Sequence, residues 1–119
     1  MVDSSVPTKK FLKEMNAGIA SLVLLSVLEK SSQPMYGYQI ARLLEEYSGD
    51  ASLMKQGALY PVLHSLENNG FLASTVEPSV SGPPRRYYEI TPDGRETLII
   101  WQGVWKQMKS FVDRAIKGG

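Results

Sequence analysis

Three side chains able to exchange hydrogen bonds with another molecule fall four residues apart near the middle of the chain: Gln56, Tyr60 and His64, with Lys55 just before the first. That spacing returns each of them to one face of an α-helix. Glutamine offers a donor and an acceptor side by side, tyrosine and histidine add polar tips, and lysine adds charge. This is the chemistry of recognition, not of bond breaking. The chain has no cysteine and one histidine, so disulfides, thiolate metal sites and cysteine nucleophiles are excluded, and neither a zinc site nor any other cofactor is expected. No carboxylate cluster joins His64 in a motif, so no catalytic constellation can be assembled and no enzyme is expected. A second set of cations, Arg85 and Arg86, forms the chain's only adjacent arginines.

Double-stranded DNA is the partner these groups fit best. A helix enters the major groove with its N-terminal residues toward base edges, and glutamine can pair bidentately with adenine. Tyr60 suits a phosphate, and the arginines suit a minor groove or a flanking phosphate. A net charge of +1 means that any such binding comes from a local patch and not from global charge. Two other readings use the same residues: a merely solvated helix face, or a polar face that docks a protein instead of DNA.

The elements around these groups follow from periodicity. Leu59, Val62, Leu63 and Leu66 line the side opposite Gln56 and Tyr60, which predicts a helix from about Gln56 with Pro61 inside it and Gly70 as its C-terminal stop. Upstream, Asn16 is an N-cap candidate for a helix over Ala17 to Lys30, with Ile19, Leu22, Val23, Ser26 and Val27 at helical spacing. Leu24, Leu25 and Leu28 make that helix apolar on more than one side, which marks it as buried or shared with a partner. Ser31 to Pro34 reads as a turn. A second helix follows from Tyr36-Gly37-Tyr38 through Tyr47, with Ile40, Leu43, Leu44 and Tyr47 facing in. Together with the Gln56 helix it makes a helix-turn-helix pattern.

After Gly70 the period becomes two. Leu72 to Glu77 and Arg85 to Ile90 read as strands joined by the breaker-rich loop 78–84, and such a hairpin after a recognition-type helix is a wing. Thr91, Pro92 and Asp93 then open a last helix as N-cap, first-turn proline and dipole partner. Its residues Leu98, Trp101, Trp105, Met108, Val112 and Ala115 are spaced three and four apart, and Ile99, Ile100, Val104 and Phe111 widen the stripe. A small body cannot cover that surface, so a homodimer is expected. Leu12 and Met15, beside the cations Lys9, Lys10 and Lys13 of the N-terminal segment, are candidates for the same interface. No apolar run nears the ~20 residues of a membrane span and the first ten residues are too polar for a signal peptide, so a cytoplasmic protein is expected.

Four blocks in order, Tyr36-Gly37-Tyr38-Gln39-Ile40, Gly57 to Leu63, Leu66 to Gly70 and Pro83 to Arg95, resemble the PadR family of transcriptional regulators, with the likeness running from about Phe11 to Ile116. The single short C-terminal helix is similar to the family's small subgroup. The resemblance implies a mainly α fold with a small β-hairpin: a winged helix-turn-helix with an N-terminal helix over residues 1–91, and a long C-terminal dimerisation helix over 92–119. It implies a dimeric repressor that binds an inverted-repeat operator, and it adds Tyr38 and Gly57 to Lys55, Gln56, Tyr60, His64, Arg85 and Arg86 as DNA-contacting candidates. The chain departs from the family pattern at Ala58, where threonine is frequent, and at His64, near a frequent arginine, which shifts weight onto the wing and Lys55. Trp105 is similar in position to a tryptophan that stacks on planar aromatic drugs in multidrug-responsive members. Trp101 and Trp105 are therefore candidates for an effector site, or for interface packing alone.

Overall fold

The structure, a computed structural model, describes residues 3–48 and 56–118. Among these, the elements run α1 (Ser5–Lys30), β1 (Met35–Tyr36), α2 (Gly37–Ser48), α3 (Gln56–Asn68), β2 (Leu72–Glu77), β3 (Arg85–Ile90) and α4 (Pro92–Lys117). The three strands form one antiparallel sheet in the order β1-β3-β2. This is the winged helix-turn-helix expected from the sequence, with the hairpin at the expected residues. Lys55 lies outside the described residues.

The first helix departs from the expectation. It does not start at Asn16; it runs unbroken from Ser5 for 26 residues. The Asp3 carboxylate accepts the Ser5 N–H at 3.0 Å, a bond that holds the Asp3 pKa below the usual carboxylate value. Pro7 falls in the first turn, where its missing N–H costs nothing because that group has no intrahelical partner. By length and composition α1 could cross a membrane, yet its second half is the centre of the core. Leu24, Leu25, Val27 and Leu28 are buried. Of the residues at helical spacing, Ile19, Leu22, Val23 and Ser26 are only half-buried, while Val27 joins Leu24, Leu25 and Leu28 in the core. A helix apolar all round gives periodicity nothing to choose between.

Around α1 pack Ile40 and Leu44 of α2, Leu59, Leu63 and Leu66 of α3, Leu72 of β2, Tyr88 and Ile90 of β3, and Leu98 of α4. Leu24, Leu25, Ile40, Leu59, Leu63 and Leu66 are almost wholly withdrawn from water, each contributing about 1.5–3 kcal/mol. Tyr47, expected to face in, is exposed, because it stands on the last turn of α2 beyond the core. Leu98 also departs from its expected role: it is 2 % exposed within its own chain, so it is core and not seam.

A joint ties α3 to α4. At the end of α3 the Phe71 N–H reaches the Leu66 carbonyl at 3.0 Å and the Gly70 N–H reaches Glu67 at 2.9 Å, with Gly70 at φ 81°. These two bonds are a Schellman cap. The Thr91 hydroxyl donates to the Gly70 carbonyl at 2.7 Å and accepts the Gly94 N–H at 3.0 Å. The Thr91 N–H meets the Phe71 carbonyl at 3.1 Å. One threonine thus caps α4 and binds it to the end of α3.

Candidate nucleic-acid interface

Helix α3 is set by its apolar face. Leu59, Leu63 and Leu66 go into the core and Val62 is half-buried, which turns Tyr60 and His64 outward into solvent. Pro61 lies inside the helix, on the exposed side, where the missing hydrogen bond leaves the Gly57 carbonyl to water. A Cβ on Gly57 would meet nothing within 4 Å, so the outward start of the helix is open. Gln56 is its first residue. The structure thus puts Gly57, Tyr60 and His64 on one helix. Among the described residues, neither the Tyr60 hydroxyl nor the His64 ring has a hydrogen-bond partner.

Tyr60 is also a packing residue. Gly37, the first residue of α2, is buried, and a Cβ there would stand 2.7 Å from the Tyr60 ring and hydroxyl. Glycine at this position lets the start of α2 and the tyrosine of α3 approach closely. The next residue, Tyr38, is 50 % exposed. Its hydroxyl accepts from Arg42 Nη1 at 3.1 Å, a bond that pushes the Arg42 pKa above its ordinary value, and the Arg42 guanidinium also lies 5.8 Å over the Tyr38 ring.

The wing arginines point apart, as adjacent strand residues must. The Arg85 guanidinium lies 4.4 Å over the ring of Tyr36. Arg86 Nη1 donates to Ser74 Oγ at 2.9 Å, and that hydroxyl donates to Oε2 of Glu67 on α3. Tyr88 lies on the same face, and burial first, then the Glu67 charge, pushes its phenol pKa up. Both arginines sit at the base of the 78–84 loop, paired with Glu77 and Val76, and not at its tip. The sequence did not reveal the two-residue strand β1, which is too short for alternation to register; nor did it reveal Arg42 or the Glu67–Ser74–Arg86 chain.

The outward surface of α4 is apolar. Ile100, Val104, Trp105, Met108, Phe111 and Val112 are each 42–63 % exposed. Met15 and Phe11 of α1 are exposed and Leu12 is half-buried. Trp101 turns back to its own chain, edge-on to Phe71 at 5.7 Å. Trp105 stands with Gln102 at one wall of a mainly apolar groove of about 370 Å³ between α1 and α4, with Leu22, Val23, Val27 and Tyr47 opposite. Of the two tryptophans, only Trp105 lines this groove.

Comparison with known proteins agrees with this geometry. Residues 24–99 match the model of the transcriptional regulator PadR-like family. The chain is 43% identical over 58 residues to the transcriptional regulator Rv3488 of Mycobacterium tuberculosis, a match covering 49% of this chain and 53% of that protein. Among solved structures it is similar to a PadR family transcriptional regulator from Eggerthella lenta, with a TM-score of 0.78 and 26% identity over 94% of both chains. A transcriptional regulator from Clostridium thermocellum superposes with a TM-score of 0.74 and 25% identity, over 85% of this chain and 93% of that one.

Proposed function

Because this chain belongs to the transcriptional regulator PadR-like family, we propose that it binds double-stranded DNA as a homodimer and represses transcription from an inverted-repeat operator. The observation that carries the reading is the outward face of α3. Among the described residues its Tyr60 and His64 side chains have no hydrogen-bond partner, three buried leucines hold it in place, and an arginine-bearing hairpin flanks it. The N-terminal turns of α3 enter the major groove, and the wing reaches the adjoining backbone. Dimerisation uses the exposed stripe of α4, joined by Phe11, Leu12 and Met15. The two copies of α3 then meet half-sites about one helical turn, ~34–36 Å, apart, or a multiple of it.

Release from DNA falls to a flat apolar effector in the groove beside Trp105. Such a ligand acts only if it binds the released arrangement of the dimer better than the DNA-bound one. The DNA reading is tested by footprinting the protein on the DNA upstream of its own gene. A symmetric protected site supports it. Protection of nothing, with the polar face of α3 instead retaining a protein partner, would transfer the function to protein–protein contact. For the effector, a planar cationic dye should quench tryptophan fluorescence and lower operator affinity, and Trp105→Ala should abolish both.

A further inference from the structure

The two wing arginines are adjacent in sequence but are held in different ways. Tyr36 is fixed on three sides. Its backbone pairs with Tyr87 in the sheet, its N–H donates to Gln39 Oε1 at 3.1 Å, and its ring meets Tyr87 edge-on at 5.4 Å. Tyr38 stacks beside it, 6.4 Å away with the rings 19° from parallel. On this platform lies the Arg85 guanidinium, 4.4 Å from the ring centroid, well inside the ~6 Å reach of a cation–π contact.

Stacking uses the face of the guanidinium and leaves its edge, which carries the N–H donors, unspent. Among the described residues, Arg85 makes no hydrogen bond or ion pair, even with its cross-strand neighbour Glu77. Arg86, on the other face, has already committed a donor to Ser74, behind which stands the Glu67 carboxylate. Through that hydroxyl its side chain fastens the wing to α3.

We infer that Tyr36 is a positioning residue for DNA binding, presenting Arg85 as the arginine that contacts phosphate, while Arg86 anchors the wing. The inference rests on the DNA-binding reading above. A free arginine loses rotamer freedom when it docks, and holding it in advance removes roughly a 2- to 10-fold penalty per half-site. For both subunits of a dimer that becomes roughly 4- to 100-fold. Charge is unaffected, so the salt dependence of binding distinguishes contact from positioning: each phosphate contact adds about 0.9 to the slope of log K against log salt.

The test is fluorescence anisotropy with a labelled duplex from the protein's own upstream DNA, from about 50 to 200 mM salt. Arg85→Gln should flatten the slope by about 1.8 for the dimer, whereas Arg86→Gln should leave it unchanged and lower the thermal unfolding midpoint. Tyr36→Leu should cost roughly 4- to 100-fold in affinity at an unchanged slope, and Tyr36→Phe, which keeps the ring, should match the wild type. Added to Arg85→Gln, Tyr36→Leu should cost nothing more. Arg85→Lys, on an exposed side chain, asks the same question should Tyr36→Leu fail to fold: charge and slope stay, but affinity falls because an ammonium does not stack as a plane. A flattened slope in Arg86→Gln but not Arg85→Gln, or a full Tyr36→Leu loss on top of Arg85→Gln, would overturn the inference. Failure of the wild type to bind any duplex at about 50 mM salt would overturn the DNA reading itself, and the inference with it.

Discussion

Replacing Gly94 by alanine should destabilise the protein by about 2–4 kcal/mol, although alanine is the better helix former by about 1 kcal/mol. Gly94 lies in the first turn of α4, buried against the end of α3. A Cβ there would stand 2.2 Å from the Phe71 carbonyl oxygen and 2.8 Å from Cγ1 of Ile90. The nearest atom is backbone, so no side-chain rotation can relieve the clash. Overpacking of this kind costs about 1–3 kcal/mol. The carbonyl that must retreat also accepts the Thr91 N–H at 3.1 Å, a bond with a net contribution of about 0.5–1.5 kcal/mol. The cap that Gly94 N–H makes with the Thr91 hydroxyl is worth about 1 kcal/mol more. Against the helix-propensity gain, the loss prevails. The assay is thermal or urea unfolding at fixed protein concentration, since a dimer's stability depends on it. A fall in midpoint of roughly 10 °C is expected. Gly103 is the internal control. It lies in the same helix, where an added Cβ meets nothing within 4 Å, so Gly103→Ala should raise stability by up to about 1 kcal/mol. A neutral or stabilising Gly94→Ala would refute the close approach of α3 and α4 at this joint.

Three other variants probe the dimer seam, the DNA-facing helix and the joint between α3 and α4. Met108→Asp with Val112→Asp should give a folded monomer by sedimentation at micromolar concentration, because both side chains are about half exposed in the single chain and become buried charges only at a seam. Gln56→Ala should relax sequence preference, costing roughly 1–3 kcal/mol on the correct site, while equal losses on operator and random duplex would remove Gln56 from the base readers. Thr91→Ala should cost about 1 kcal/mol as a lost N-cap and more through the bond to Gly70, seen as a lower unfolding midpoint.

Wherever one face of an element is buried, the sequence announced it. The stripe of Leu59, Leu63 and Leu66 located α3 and turned Tyr60 outward, and the cap residues Thr91, Pro92 and Gly70 marked helix ends because their backbone chemistry is local. α1 was legible only in part. Its second half is apolar all round, and its true start depends on Asp3 and a first-turn proline instead of the better-looking cap at Asn16. The last helix showed its apolar stripe but not how the stripe divides. Leu98 is spent on the core and Trp101 on Phe71, leaving Trp105, Met108 and Val112 to the surface, a partition fixed by how α4 leans on α1 and the end of α3. Least legible were contacts between segments far apart in sequence. That Arg85 stacks on Tyr36 while Arg86 reaches Ser74 follows from sheet register, and β1 is a two-residue strand whose pairing with β3 leaves no periodic trace.

The central claim, that this chain is a DNA-binding regulator, is tested most directly by one titration of the wild-type protein. Its affinity for a duplex from its own upstream region is measured against that for a random duplex of equal length, across a salt series. Expected are one dimer per site, a preference for the upstream duplex on the order of 10³-fold or more, and affinity falling linearly in log K against log salt. Equal affinity for the two duplexes, or binding indifferent to salt, would contradict it.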